Sequence, residues 1–177
     1  MDTIANIASR WNNMASVYQN FDESMLTFYY TLIHMLDLNK AKHILEIACG
    51  TGKLIPEAIA LKPKESTYLA TDLCEKMVAL FKENVGKYLS KMGVSLPTEE
   101  WMSSQNLEVR AANGEEPIEC NYKFDRIIAN LVLMLTEDPV KMMRNLHGMA
   151  EEGCLLGVTI WGDKAQNNLL TILKEAL

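Results

Sequence analysis

HILEIACGTG, residues 43–52, carries two signals in ten positions. His43 to Ala48 is a short apolar run of the kind that forms a strand covered on both faces. It stops at Gly50-Thr51-Gly52, where a side chain is missing twice in three residues. Glycines so placed mark either a left-handed backbone or a group that approaches the main chain closely. A strand that ends in such a loop and leads into a helix is the start of a β-α unit. In open α/β sheets, ligands sit at the carboxyl ends of the strands.

The flanking segments extend the pattern. Upstream, Trp11, Met14, Ala15, Tyr18 and Phe21 recur at helical steps, as do Met25, Phe28, Tyr29, Leu32, Ile33 and Leu36. Asp22 is the predicted N-cap between the two segments, with Glu23 and Ser24 in the first turn. Downstream, Lys53–Leu61 reads as a helix closed by Pro63. Ser66–Asp72 reads as a second strand ending on an acid. Glu75–Met92 is a long amphipathic helix ended by Gly93, followed by a polar loop through Pro97 and Ser103-Ser104. Leu107–Ala112 and Phe124–Leu133 are the third and fourth strands. Asp138 and Pro139 supply an N-cap and a first-turn proline for a helix to Ala150. Glu151-Glu152-Gly153 is read as a turn, Cys154–Trp161 as a fifth strand, and Asp163 as the cap of a last helix striped by Leu169, Leu170, Ile172, Leu173 and Leu177. Strands alternating with helices predict right-handed crossovers and a mostly parallel sheet with helices on both faces.

Bulk properties limit the function classes. The chain has 177 residues, 49% apolar and 23% charged, with a formal net charge of -6. That length favours one domain. The negative balance and the lack of a Lys/Arg cluster argue against a partner with a phosphate backbone. Cys49, Cys74, Cys120 and Cys154 form no C-x-x-C pair and show no zinc spacing. They read as reduced thiols, which points to a cytoplasmic protein. No signal-peptide layout opens the chain, and no apolar stretch approaches the roughly 18 residues of a membrane span.

The glycine loop admits several chemistries. A P-loop fails because Ile47 and Leu54 stand where Gly and Ser/Thr are required. A dinucleotide loop fits at Gly50 and Gly52 but has Ile55 at the third glycine position. A ligand-free tight turn explains the glycines and leaves Glu46 unexplained. Glu46-Ile47-Ala48-Cys49-Gly50-Thr51-Gly52 resembles motif I of class I S-adenosylmethionine-dependent methyltransferases, with Ala48 in place of that pattern's first glycine. The cofactor carries a sulfonium, an ammonium and a carboxylate but no phosphate. It calls for close backbone approach and an acid for its positive end.

Further segments carry the same resemblance. Asp72 closes the second strand 20 residues after Gly52, the spacing of a ribose-diol acceptor. The stretch YLATDLCEKMVAL is similar to the family's second motif. Ala112-Asn113-Gly114-Glu115-Glu116-Pro117 is similar to its third, with Asn113 where an acid usually meets the adenine amine. Tyr18 lies in a W-x-x-x-A-x-x-Y segment found in relatives that methylate small molecules. The resemblance therefore implies a Rossmann-like sheet in the order 3-2-1-4-5 with an N-terminal helical lid. It implies S-adenosyl-L-methionine as cofactor, bound by Tyr18, Glu46, Ala48, Cys49, Gly50, Gly52, Asp72, Leu73, Met77, Asn113, Gly114, Asn130 and Leu131. Residues 1–40 form the helical segment and 41–177 the cofactor-binding core.

The same resemblance places the methyl acceptor near Asn130 to Met134 and Trp161. Asn130-Leu131-Val132-Leu133 lacks the Pro-Pro-aromatic pattern of enzymes that methylate exocyclic amines, which argues against base methylation and leaves a small-molecule acceptor, or alternatively a protein one, as the expectation. His34, His43 and His147 read as structural or solvated, and no catalytic base or metal is assigned. Two alternatives stand: a binding or scaffold subunit with little activity, and a fragment of a complete enzyme. The first rests on Asn113, and both rest on the expectation that the core stops after strand five, short of the family's last two strands. An uncharged fifth strand at the sheet edge then implies a homo-oligomer or a strand-donating partner, with Gly157 as a candidate bulge.

Overall fold

The computed structural model describes residues 3–21 and 25–163. Asp22, Glu23 and Ser24 fall outside the described residues, as does the helix expected after Asp163. Two helices come first, α1 (Ile4–Phe21) and α2 (Leu26–Met35), then a 3-10 turn at Leu38–Lys40. The order continues β1 (His43–Ile47), α3 (Ile55–Leu61), β2 (Thr67–Asp72), α4 (Glu75–Lys91), α5 (Thr98–Ser104) and β3 (Leu107–Ala111). It closes with β4 (Phe124–Asn130), a 3-10 turn at Leu133–Leu135, α6 (Pro139–Met149) and β5 (Ala150–Thr159). One five-stranded sheet runs β3-β2-β1-β4-β5, and every neighbouring pair is parallel. This is the expected Rossmann-like order.

Period-two alternation sends each strand's side chains to two apolar layers. Ile44, Tyr68, Ala70, Val109 and Ile128 meet Leu32, Ile33, Leu36, Phe81, Val85, Leu89 and Met102 from α2, α4, α5 and the 3-10 approach. Leu45, Ile47, Leu69, Ile127 and Ala129 meet Met142 and Leu146 of α6 on the other face. Local caps act as read. The Asp138 side chain accepts from the Lys141 N–H at 2.9 Å, with Pro139 inside the first turn. Gly93 at φ 70° ends α4, where the Val94 N–H turns back to the Leu89 carbonyl.

Three expectations are corrected. The polar loop at 98–104 is a short helix, α5; three acidic or small polar residues in its first turn hide a helix that needs only Met102 buried. β4 ends at Asn130 rather than Leu133, because Leu131 turns left-handed at φ 50°. Glu151-Glu152-Gly153 belongs to β5. Between the pairs Phe124–Ala150 and Arg126–Leu155, β5 advances five residues against two in β4. Gly153 at φ 81° lies inside this irregularity. The bulge therefore sits there and not at Gly157, which is flush against α2: a Cβ on it would come within 2.6 Å of Leu32 and 2.8 Å of Leu36.

The base of the sheet is tied by two charges that the apolar look of the fourth strand conceals. The buried Asp125 carboxylate accepts from the Lys42 N–H at 2.9 Å and the His43 N–H at 2.7 Å. The adjoining Arg126, 8% exposed, pairs with Asp125 at 3.2 Å and donates from Nε to the Leu36 carbonyl at 2.6 Å. One ion pair thus holds the start of β1 and the end of α2. Asp125→Ala leaves a buried guanidinium without its counter-charge and two backbone N–H groups without their acceptor. It should destabilise the protein by about 3–5 kcal/mol in denaturant unfolding.

Candidate functional site

The carboxyl ends of β1, β2, β3 and β4 open into one cavity, roofed by α1. Its empty volume, which includes space open to solvent, is about 1020 Å³. Tyr18, Glu46, Ala48, Cys49, Gly50, Asp72, Leu73, Met77, Asn113, Gly114, Asn130 and Leu131 all border it. Gly52 is the exception. A Cβ there would meet the Phe81 ring at 2.6 Å, and its φ is 77°. The two glycines thus answer different demands. Gly52 lets α4 pack on the loop, whereas a Cβ at Gly50 would find only Tyr18, at 4.0 Å.

Asp72 organises the loop. One carboxylate oxygen accepts from the Gly50 N–H at 2.9 Å and the other from the Cys74 N–H at 2.9 Å. Burial pushes its carboxyl up, and these two donors pull it back. Asn84 of α4 adds a second hold, donating to the Thr51 carbonyl at 2.9 Å and accepting from Gln19 of α1 at 2.7 Å. Ala48, which replaces the glycine of the motif, adopts φ 55°. The position demands left-handed backbone even though its residue is not glycine.

Glu46 is the second acid of the cavity and is 4% exposed. Its carboxyl accepts from the Tyr68 hydroxyl at 2.9 Å. Burial is the main force on it. The Tyr68 donor opposes that force and nearby Asp72 adds to it, so that Glu46 titrates at about 8. At neutral pH it is largely a neutral acid. The Cys49 thiol, also buried here, is pushed well above its usual range by burial and by the two acids.

Asn113 uses its amide oxygen to accept from the Glu115 N–H at 3.0 Å, an Asx turn. At the end of β4, Asn130 accepts from the Thr159 hydroxyl, and the Leu131 N–H donates to that same hydroxyl at 3.0 Å. The wall continues through Val132, Leu135 and Thr136, whereas Leu133, Met134 and Trp161 do not border it. Trp161 instead meets Phe28 edge-on at 6.0 Å. Among the described residues no histidine borders the cavity: His34 pairs with Glu57 at 3.2 Å, and His43 bonds Thr67 at 2.8 Å. Among the described residues no group of side chains could hold a metal ion.

Several lining residues are not among those expected from the sequence to bind the cofactor. Ile4, Ile7 and Trp11 of α1 and Tyr29 of α2 reach the cavity, as do Lys53 and Glu115. Trp11 and Tyr29 were visible as aromatic positions of helical stripes, but a stripe does not say which of its members faces a cavity. Glu115 is buried and accepts from the Glu137 N–H at 2.8 Å and the Asp138 N–H at 3.1 Å. Glu137 in turn accepts from the Ile4 N–H at 2.7 Å, so the strand-end loops hold the start of α1.

Set beside known proteins, residues 45–156 match a family model described as a methyltransferase domain. The chain belongs to this methyltransferase domain family. Its five parallel strands are those of the class I S-adenosylmethionine-dependent fold. No curated protein matches the sequence. Among solved structures, the methyltransferase domain resembles the cyclase SpnF with a TM-score of 0.71 at 12% identity, over 90% of this chain and 60% of that one. A SAM-dependent methyltransferase from Aquifex aeolicus gives 0.59 at 16% identity, covering 84% and 78%. Magnesium protoporphyrin IX methyltransferase from Synechocystis PCC 6803, solved with bound SAH, gives 0.56 at 16% identity, covering 88% and 61%. The domain thus spans about three fifths of the length of two of these proteins.

The Glu46 carboxyl makes the domain's stability depend on pH. Its folded value, about 8, lies above the 4.5 of an exposed side chain, so the folded state retains a proton that the unfolded chain has released. The resulting stabilisation is complete below 4.5 and is lost as pH rises through 8, a span of roughly 5 kcal/mol. Glu46→Gln should abolish this loss. Denaturant unfolding at pH 5 and pH 8.5 should show a smaller decline for the variant than for the wild type.

Proposed function

We propose that this domain takes S-adenosylmethionine into the cavity at the strand ends and transfers its methyl group to a small-molecule acceptor. The observation that carries this reading is the convergence of Glu46, Gly50 and Asp72 on one cavity wall. In this reading the carboxylate oxygens of Asp72 keep lone pairs for a ribose diol beyond those bound to Gly50 and Cys74. Glu46 faces the cationic end, and Cys49, Leu73 and Met77 pack around the nucleoside. Asn113 offers its amide to the adenine edge, beside Gly114. Ala48 and Gly50 let the backbone close on the ligand, and Gly52 acts indirectly by seating α4. Tyr18 covers the site from α1, and Asn130 and Leu131 form the wall where acceptor and cofactor meet.

When bound, the cofactor supplies a methyl group on a sulfonium sulfur, open to in-line displacement. The chain's part is to align the reactants and exclude water, which lowers the barrier without a catalytic side chain. A small acceptor agrees with the apolar wall of Ile4, Ile7, Trp11, Leu131, Val132 and Leu135. The net charge of -6 disfavours nucleic acid. No described helix is long and apolar enough to cross a membrane. Four free thiols agree with a cytoplasmic location. The described elements all pack on one sheet, which supports reading residues 1–177 as a single domain.

A second reading, a binding or scaffold protein with this fold, is favoured by Asn113, whose oxygen is already engaged by Glu115. The similarity to a cyclase also indicates that the fold serves other chemistry. Calorimetry with S-adenosylhomocysteine tests the first reading. One site per chain is expected, weakened by about 1–3 kcal/mol in Asp72→Ala. Unchanged affinity in that variant overturns the assignment, and binding without methyl transfer to any acceptor supports the scaffold reading.

The outer edge of β5 supports a further part of the proposal, a second copy of the chain or a strand-donating partner. β5 is outermost among the described strands, with Leu155 41% exposed and Ile160, just past its end, 62% exposed. Light scattering should report a species larger than one chain. A monomer at high concentration, with slow hydrogen exchange across Leu155 to Ile160, would refute it.

A further inference from the structure

Glu46 and Tyr68 lie on adjacent parallel strands and point to the same face. Ile44 is the register partner of Tyr68, and Glu46 that of Ala70. The phenol therefore reaches diagonally along the sheet to place its hydroxyl 2.9 Å from the Glu46 carboxyl. Tyr68 is fully buried and does not itself border the cavity, whereas Glu46 does. The pair thus runs from the core to the cavity wall, with the acid at its exposed end.

We propose that Tyr68 is a positioning residue for Glu46, and that the pair couples binding of a cationic ligand in the cavity to release of the Glu46 proton. The inference rests on the cofactor reading above for the identity of that ligand. In the free protein the carboxyl is neutral at pH 7, held there by burial and by Asp72 on the neighbouring strand. The Tyr68 phenol is itself pushed well above its usual range, so it keeps its proton and acts as the donor across the whole working range. A cation entering the cavity favours the carboxylate. The O–H bond of Glu46 breaks, its proton goes to solvent, and an ion pair with the ligand takes its place. The remaining groups that face this space are Cys49 and Lys53 of the glycine loop, Cys74 at the start of α4, Glu115 beyond β3, Tyr18 of α1 and Tyr29 of α2.

Two features set this pair apart from Asp72. Asp72 holds two backbone N–H groups and is committed to the loop. Glu46 has one neutral donor and, among the described residues, no backbone partner for its carboxyl. A site built so distinguishes charged ligands from neutral ones of the same shape, because only a charged ligand compensates for ionising a buried acid.

The test is calorimetry on the full chain with S-adenosylhomocysteine, from pH 6 to 9.5, in two buffers of different ionisation enthalpy. The ligand's own amine titrates in this range, so each affinity is divided by that of Glu46→Gln at the same pH. For the wild type this ratio should rise about tenfold between pH 7 and 9. A fraction of a proton approaching one should be released at pH 7, and none in Glu46→Gln. Tyr68→Phe removes a donor that favours the carboxylate, so its curve should be displaced to higher pH while binding at pH 9.5 persists. A flat wild-type ratio, or a Tyr68→Phe curve that overlays the wild type, overturns the proposal. If Tyr68→Phe does not fold, proton release in the wild type and its loss in Glu46→Gln decide the matter. If S-adenosylhomocysteine does not bind at all, the cofactor reading fails separately. The carboxyl carbon-13 titration of Glu46 in the ligand-free protein then decides: an inflection near 8, raised further in Tyr68→Phe, upholds the positioning role, and one in the ordinary glutamate range overturns it.

Discussion

The carboxylate of Asp72 holds the upper end of this molecule together. Its two oxygens each take a backbone N–H, one from the loop that leaves β1 and one from the residue that opens α4. Two chain segments 24 residues apart are thereby fixed to the end of a third. An acid at a strand end is usually read either as a helix cap or as a ligand contact. Here the capping-type bond to Cys74 and the bond to Gly50 are what aim the carboxylate at the cavity, so the local and the functional roles depend on one geometry.

A different logic governs the lower end. Asp125 and Arg126 are charged residues near the start of a strand paired on both sides, where apolar side chains are the rule. They persist because each is fully partnered: the acid takes the first amides of β1, and the guanidinium takes the last carbonyl region of α2. β1 is thus gripped at its start by Asp125 and just past its end by Asp72. The central strand, from which the cavity opens, is held at both ends by carboxylates on its two neighbours.

Much of this was legible in the sequence, for physical reasons. The parallel sheet followed from the alternation of strands and helices, and its strand order from the resemblance carried by the glycine loop and the later motifs. Helix limits at Pro63, Gly93 and Asp138-Pro139 followed from local steric and capping rules that tertiary context does not override. Features needing distant partners were not legible. Ion pairs hidden in the fourth strand look like interruptions of an apolar run, and Glu115 looks like any surface acid until Glu137 and Asp138 are seen to donate to it. Residues 151–153 have the composition of a turn, yet they belong to β5 and show only as an irregularity of its register. Which aromatic residues of α1 and α2 face the cavity is set by how those helices lie across the sheet, and neither period nor composition encodes that.

Ala48 and Leu131 share a property with consequences beyond their positions in the chain. Both leave their strands in left-handed conformation while carrying a Cβ, at a cost of about 1–2 kcal/mol each. Glycine would relieve this strain at either position, and at Leu131 it would also remove part of the cavity's apolar wall. The domain therefore forgoes stability at the rim of its cavity and keeps side chains there. Substitutions that make this fold sturdier and those that preserve the shape of its site pull in opposite directions at Leu131. A search for stabilised variants that leave the site intact is better directed at the exposed surface of α4 and α6 than at the strand ends.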